Sequence, residues 1–283
     1  MIAKHPTDTR DDDALRRHYQ IECELADRLR AATPDSRRGL YSSVYNELFV
    51  RVPDHPQNTR KLDASQQEAM TRRQLRLLDG FLTPQTTYLE IGAGDCHLAM
   101  EAAGRCRHVY AVDVSDVIAA GTQRPANFGL VLSDGVSIDV PPGTVDVAYS
   151  NQLMEHLHPD DAEAQLRQIV RAMAPGGRYI CVTPHRFSGP HDISCLFDRE
   201  ARGFHMKEYT YGELRRLFLR AGFAEIGVLA GLRGRHYRMP RLIVSMLEGG
   251  LRVLPHGLRR WLSRSLLLRR LFECIHIVGY KAT

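Results

Sequence analysis

Two apolar runs, each ending in an acid and separated by a glycine turn, stand together in the first half of this chain: Thr87 to Asp95 reads TYLEIGAGD and Val109 to Ser115 reads VYAVDVS. At the carboxyl edge of an open parallel sheet, such a turn leads into a helix N-terminus and makes a crevice where bare backbone can approach a nucleotide. Asp113 falls 19 residues after Gly94, at the end of the second run, where a carboxylate can accept from both hydroxyls of a ribose. A third run ends in Ser133, Asp134 and Gly135, which places Asp134 to accept from an adenine amino group. The alternative for Asp134 is a turn cap, as it is a helix cap for Asn151 after the fourth run. A glycine turn alone is a weak signal, and GAGDCH carries His97 where the dinucleotide fingerprint has its third glycine. A nicotinamide dehydrogenase would share this much.

The order of five motifs is far more specific: LEIGAGD, VDVS, SDG, VDVAYSNQLMEHL and RQIVRAMAPGGRYICVTP. In that order, over Thr86 to Tyr280, the chain resembles the class I S-adenosylmethionine-dependent methyltransferases of the small-molecule, type 11-like kind. The APGG stop before the fifth strand and the EHL after the fourth favour methyl transfer over hydride transfer. The resemblance implies S-adenosylmethionine as cofactor and S-adenosylhomocysteine as product. It also implies a set of contacts: Glu90 supporting the turn and the amino-acid end of the cofactor, Gly92, Ala93 and Gly94 passing beneath it, Asp113 with Val114 at the ribose, Asp134 with Gly135 at the adenine, and Asn151 beside the sulfonium. Cys96 stands where the family commonly has a third glycine.

Displacement at a sulfonium starts from an activated leaving group, so the protein supplies alignment and, for a hydroxyl acceptor, a base. Histidine suits that task near neutral pH. Candidates are His156, His158, His185, His191 and His205; His156 and His185 come just beyond strand ends facing the crevice and are the predicted catalytic pair. QLMEH at Gln152 to His156 is similar to the ExxEH metal site of ubiquinone-pathway O-methyltransferases and small-RNA 2′-O-methyltransferases. Here Gln152 replaces the first glutamate and removes a charge that a hard cation prefers, so no metal centre of Gln152, Glu155 and His156 is predicted. The expected activity is O-methylation of a small or lipid-linked metabolite. N- or C-methylation of a natural product, and a non-catalytic cofactor-binding scaffold, are the alternatives.

These residues need strands and helices in alternation to bring them to one edge. Strands are expected near Tyr88 to Ile91, Val109 to Val112, Gly129 to Leu132, Val145 to Ser150, Arg178 to Val182, Glu225 to Leu229 and Ile275 to Tyr280, with helices near Cys96 to Gly104, Asp160 to Ala174 and from Thr210. That alternation predicts an α/β fold, a Rossmann-like, doubly wound, mostly parallel seven-stranded sheet. Residues 1–82 read as a helical cap, with helices over Asp11 to Ala31 and Asp63 to Leu82 and an interruption at VPDHPQ. Residues 83–283 form the cofactor-binding domain, with a basic helical insertion at 233–272 before the last strand.

Composition bounds the rest. The chain has 283 residues, 43% of them hydrophobic, enough for one large core. No apolar stretch approaches the roughly 18 residues of a membrane span, and the polar N-terminus lacks the apolar core of a secretory signal, so a cytoplasmic protein is expected. Six scattered cysteines without a CxxC pair suggest neither a zinc knuckle nor a disulfide framework. Arg233 to Arg270 holds ten arginines against one acid, Glu248, a local balance of +9 in a chain whose net charge is +5. Its leucines and arginines predict an amphipathic helix for an anionic lipid surface or an acidic substrate, with a homodimer or lid helix as the alternative. Few aromatics and no binding module argue against nucleic acid.

Overall fold

The computed structural model describes residues 8–59, 63–115, 124–232 and 235–283. Arg233, the expected first residue of the insertion, and Met1 to Thr7 of the expected cap lie outside the described residues. Helix α1 (Asp12–Ala31) starts at Asp11, whose side chain accepts from the Ala14 amide, and buries Leu15, Ile21, Leu25 and Leu29 at helical spacing. Helix α2 (Pro34–Arg51) is an element the apolar periodicity does not announce, because its inner face begins with Arg37 and Tyr41 before reaching Val44 and Leu48. Thr33 caps it and Pro34 opens it, a start signal legible in the sequence. VPDHPQ does interrupt the helices: α2 ends at Arg51, a single turn α3 (Pro56–Thr59) follows, and α4 (Ala64–Leu78) starts with a capping box of Asp63 and Gln66.

The sheet comprises β1 (Thr87–Ile91), β2 (His108–Asp113), β3 (Phe128–Leu132), β4 (Val145–Asn151), β5 (Met173–Pro184), β6 (Glu225–Leu232), β7 (Arg235–Met239) and β8 (Cys274–Tyr280), in the order β3-β2-β1-β4-β5-β8-β6-β7. Pairings from β3 through β5 are parallel, and β8 runs antiparallel between β5 and β6. Among the described residues the strand count is eight, one more than the sequence pattern predicts. The insertion opens by folding RHYRM back on β6 as an antiparallel edge strand, whose Arg235, Tyr237 and Arg238 face solvent. Charged side chains on such an edge discourage further pairing, so the start of the insertion, expected to be helical, is compatible with an edge strand there.

Helices α5 (His97–Ala103), α6 (Pro159–Ala172) and α7 (Tyr211–Ala221) cover the sheet from both sides. Leu166, Ile169, Leu214 and Phe218 join Leu25 and Val44 of the N-terminal helices in one apolar cluster, while Leu75, Leu78, Leu98 and Ala102 join Tyr88, Val109 and Val147 in another. Side chains alternate between the two clusters along β1 and β4, as a doubly wound sheet requires. The insertion continues as α8 (Arg241–Arg252), α9 (His256–Ser263) and α10 (Arg269–Phe272). Its one acid anchors it: Glu248 accepts from the Tyr211 and Gly212 amides at 2.7 and 3.2 Å, satisfying the open N-terminus of α7. Among the described residues no helix is long and apolar enough to cross a membrane.

Candidate active site

The crevice is built where β1 meets the turn. Gly92 and Gly94 have positive φ, +70° and +52°, a conformation that glycine adopts without a Cβ penalty. Amides of Gly92 and Ala93 donate to the Val112 carbonyl at 2.8 and 3.2 Å, tying the turn to the end of β2. There Asp113 accepts from the Gly94 amide at 2.8 Å and from the Ser115 amide at 3.1 Å. Burial raises its carboxyl pKa above the usual range, although these amides pull the other way. Cys96, in the third-glycine position, is held at φ +59° and immediately precedes α5.

Glu90 is buried with Oε2 unpartnered, and burial beside Asp95 and Asp113 raises its pKa well above the carboxylate range. A carboxyl of this kind, with two other acids nearby, is suited to a cationic ligand. Beyond the turn lies a cavity of about 140 Å³ walled by Ile91, Val112, Val114, Leu153 and Leu157, with Asp113, Ser133, Gly135 and His156 at its edge. Tyr41 and Tyr45 of α2 form its cover. Gly135 makes that cover fit: its φ is +92° and an added Cβ would stand 2.8 Å from the Tyr41 ring. Asp134 is engaged in its own turn, accepting from the Val136 and Ser137 amides at 2.9 and 2.6 Å and from Ser137 Oγ at 3.0 Å, with Arg38 at 3.6 Å. Burial pushes its carboxyl up, but these partners outweigh it and hold the pKa below the usual value.

Asn151 and Gln152 are not part of this wall. They line a second cavity of about 230 Å³ with Gln74, Tyr149, Cys274 and His276. Gln152 has φ +54° and its Nε2 lies 3.9 Å from Cys274 Sγ, so the left-handed turn sends its side chain away from Glu155 and His156. The grouping of Gln152, Glu155 and His156 that the ExxEH likeness would require is therefore not assembled.

His205 takes that place. One ligand atom from each of Glu155, His156 and His205 falls within 4.8 Å of the others, and the two imidazole rings meet edge to face at 4.9 Å. Burial pushes Glu155 up to about 7; Oε2 accepts from Thr183 Oγ1 at 2.8 Å and Oε1 has no partner. Burial, with the charge on His205, pushes His156 down to about 3, so it is neutral at pH 7. Its Nδ1 lies 3.1 Å from the Phe204 carbonyl and 2.9 Å from Tyr45 Oη. A carbonyl only accepts, so Nδ1 carries the proton and Nε2 is the basic nitrogen. His205 is raised: burial opposes its charge, but Glu208 at 2.8 Å and Glu155 outweigh burial. His191 lies 3.2 Å from the same Glu208, and His158 caps α6.

His185, the other expected base, is elsewhere. It is fully buried among Phe187, Tyr211 and Phe272, with Nε2 3.5 Å from Glu248, and burial lowers its pKa. Its Nδ1 accepts from the Phe187 amide at 3.1 Å, so it joins the insertion to β5 and does not line the crevice. Sequence reasoning missed Tyr41, Tyr45, Leu153 and Gln165, which complete the crevice through contacts between distant elements.

Comparisons with known proteins agree with this architecture. A family model described as a methyltransferase domain matches residues 20–226. A candidate S-adenosylmethionine-dependent methyltransferase of Mycobacterium tuberculosis is 27% identical over 161 residues, 56% of this chain and 57% of the relative. A methyltransferase of Aspergillus fumigatus is 32% identical over 125 residues, 40% of this chain and 36% of the relative. The matches thus span little more than half, and about a third, of those relatives. Among solved structures, a chain of the Haloferax volcanii complex between the Trm112 methyltransferase activator and a methyltransferase superposes with TM-score 0.52 at 15% identity, covering 78% of this chain and 95% of that one. A candidate O-methyltransferase of Nostoc punctiforme gives TM-score 0.50 at 16% identity, covering 77% of this chain and 57% of that one. Both likenesses concern the fold. The family match runs from α1 into β6, through the glycine turn and every residue of the crevice, and the chain belongs to the class I S-adenosylmethionine-dependent methyltransferases.

Proposed function

We propose that this methyltransferase acts on a hydroxyl oxygen of a small or lipid-linked metabolite, with His156 as the proton acceptor. The observation that carries the reading is that His156 belongs to two places at once, the crevice wall and the buried cluster with Glu155 and His205. S-adenosylmethionine fits the crevice by its chemistry: the acids Glu90, Asp95 and Asp113 suit a ligand with an ammonium and a sulfonium, and Asp113 suits ribose hydroxyls. Bound there, it supplies a methyl group already activated for displacement. Glu90 and the Gly92–Gly94 turn then hold the amino-acid end, Asp113 and Val114 the ribose, and Asp134 with Gly135 the adenine side. His156 Nε2 takes the hydroxyl proton while its Nδ1–H remains on the Phe204 carbonyl. Burial opposes the charge His156 gains in that step, and neighbouring Glu155, pushed up to about 7 and with Oε1 unpartnered, would offset it when ionised.

Transfer of label from radioactive S-adenosylmethionine to an extract, followed by identification of the methylated atom, tests this reading. An oxygen-linked product that declines about 10²- to 10⁴-fold in His156→Ala supports it. Labelled nitrogen or carbon with His156→Ala unaffected favours the other transfers; cofactor binding with no labelled product favours a scaffold.

A divalent cation on Glu155, His156 and His205 is a second reading, supported by the converging ligand atoms and by Glu208 holding the far nitrogen of His205, as outer carboxylates do at metal sites. Chelator treatment followed by added magnesium or zinc separates the two. Turnover unchanged by chelation rejects the cation.

A further inference from the structure

The insertion turns its apolar side outward. Among the described residues thirteen large apolar side chains are exposed, and eight of them lie between Leu242 and Leu267. Helix α8 has two apolar faces. Val244 and Leu251 are buried on one, while Leu242 and Met246, one turn apart on the other, are 71% and 68% exposed. The apolar arc of α8 is wider than the face it buries, so part of it is left for something else to cover. In α9 the usual order is reversed: Trp261 is 67% exposed, whereas Arg259 is half-buried, its guanidinium 4.9 Å over the Phe187 ring. The turn that follows presents Leu266 and Leu267, 79% and 84% exposed, at its tip.

The charge on this face is of one sign. Glu248, the only acid between Arg235 and Arg270, is buried and shared between the α7 amides and Arg252, and Arg238 pairs with Glu225 of β6, so seven of the nine arginines in this stretch have no acid paired with them among the described residues. Arg241 adjoins Leu242, and Arg269 and Arg270 follow the leucine turn; all three are exposed. A second copy packed face to face would set like charges against each other, and a nucleic acid would leave the leucines and Trp261 in water. A surface that is both anionic and apolar satisfies both sets of groups.

We propose that α8, α9 and the Leu266–Leu267 turn form a docking surface that lies in the interface of an anionic lipid bilayer. Leucine, methionine and Trp261 side chains enter the headgroup boundary, and the arginines remain with the lipid phosphates. Arg252, His256 and Arg259 of the same two helices also wall a cavity of about 760 Å³ with Arg186, Lys207 and Arg216, and although Glu200, Glu208 and Glu213 share that wall, cations outnumber acids in the recess beside the docking face. Docking does not depend on the acceptor being an alcohol, and its test reads binding without turnover.

Sedimentation of the full chain with phosphatidylcholine vesicles carrying about one-third phosphatidylglycerol provides the test. The expected result is binding that weakens as salt is raised and is lost with phosphatidylcholine alone. Leu266→Ser combined with Leu267→Ser should reduce partitioning about tenfold or more, with thermal unfolding unchanged because both side chains are exposed. A protein that stays in the supernatant with anionic vesicles overturns the proposal. So does a dimer in sizing experiments that the same two substitutions convert to monomer without any vesicle binding, since the face is then a contact between copies.

Discussion

Arg37 of α2 and Asp161 of α6 meet in a buried, two-pronged ion pair, Nε to Oδ2 at 2.6 Å and Nη2 to Oδ1 at 3.0 Å, and Tyr41 Oη donates to the same carboxylate at 2.6 Å. The pair fixes the helix whose tyrosines cover the crevice to the helix that follows β4. Removing Arg37 leaves a buried carboxylate with too few donors, so Arg37→Met should cost about 3–5 kcal/mol in urea unfolding. Arg37→Met with Asp161→Leu should recover much of that loss, because no charge is then left alone. S-adenosylhomocysteine affinity should fall in the double variant, where Tyr41 loses the Asp161 carboxylate it donates to; a single variant as stable as the parent refutes the clamp.

Asp113 offers the sharpest test of the crevice. Asp113→Ala removes the acceptor assigned to the ribose hydroxyls and frees the Gly94 amide from its 2.8 Å bond. Calorimetry with S-adenosylhomocysteine should show about 1.5–3 kcal/mol weaker binding, roughly ten- to a hundredfold. Unchanged affinity would move the nucleoside elsewhere.

Much of this crevice was legible in the sequence because its parts are local: an acid at the end of an apolar run, glycines where the chain must turn, and an order of motifs. What was not legible depends on contacts between distant residues. Helix α2 hides its inner face behind Arg37 and Tyr41, polar residues whose burial follows only from Asp161, on a helix far along the chain. Gln152 and Glu155 look like neighbours at helical spacing, but the left-handed turn at Gln152 separates them, and His205 arrives from a loop to replace it. His185 stands after a strand end as a base should, and is instead enclosed by Glu248 of the insertion, a partner that no local pattern announces.

Glu155 makes stability depend on pH in a defined direction. Its pKa in the folded chain, about 7, is above that of an unfolded glutamate, so between the usual carboxylate range and about pH 7 the native state holds more protons than the unfolded state. Its contribution is present at low pH and lost as pH rises through 7. Buried histidines such as His156, pushed down to about 3, act in the opposite sense, so the parent and Glu155→Gln must be compared. The difference in unfolding free energy between them should shift in favour of the glutamine variant as pH rises from about 5 to 8, and a difference independent of pH contradicts the raised pKa.

Gly135 couples the adenine side of the crevice to the cap. Its carbonyl accepts from Gln165 Nε2 at 2.8 Å, which ties the turn to α6, while its bare α-carbon faces Tyr41. Gly135→Ala asks two things of the chain: a left-handed backbone at φ +92° and a Cβ 2.8 Å from the Tyr41 ring. Either α2 lifts or the turn relaxes, and strain of this kind costs about 1–3 kcal/mol. Tyr41→Ala in the same chain removes the collision but not the backbone strain, so the double variant should regain part of the stability lost by Gly135→Ala while remaining defective in S-adenosylhomocysteine binding. Recovery of binding together with stability would show that Tyr41 is dispensable as a cover, and that the crevice closes by the sheet edge alone.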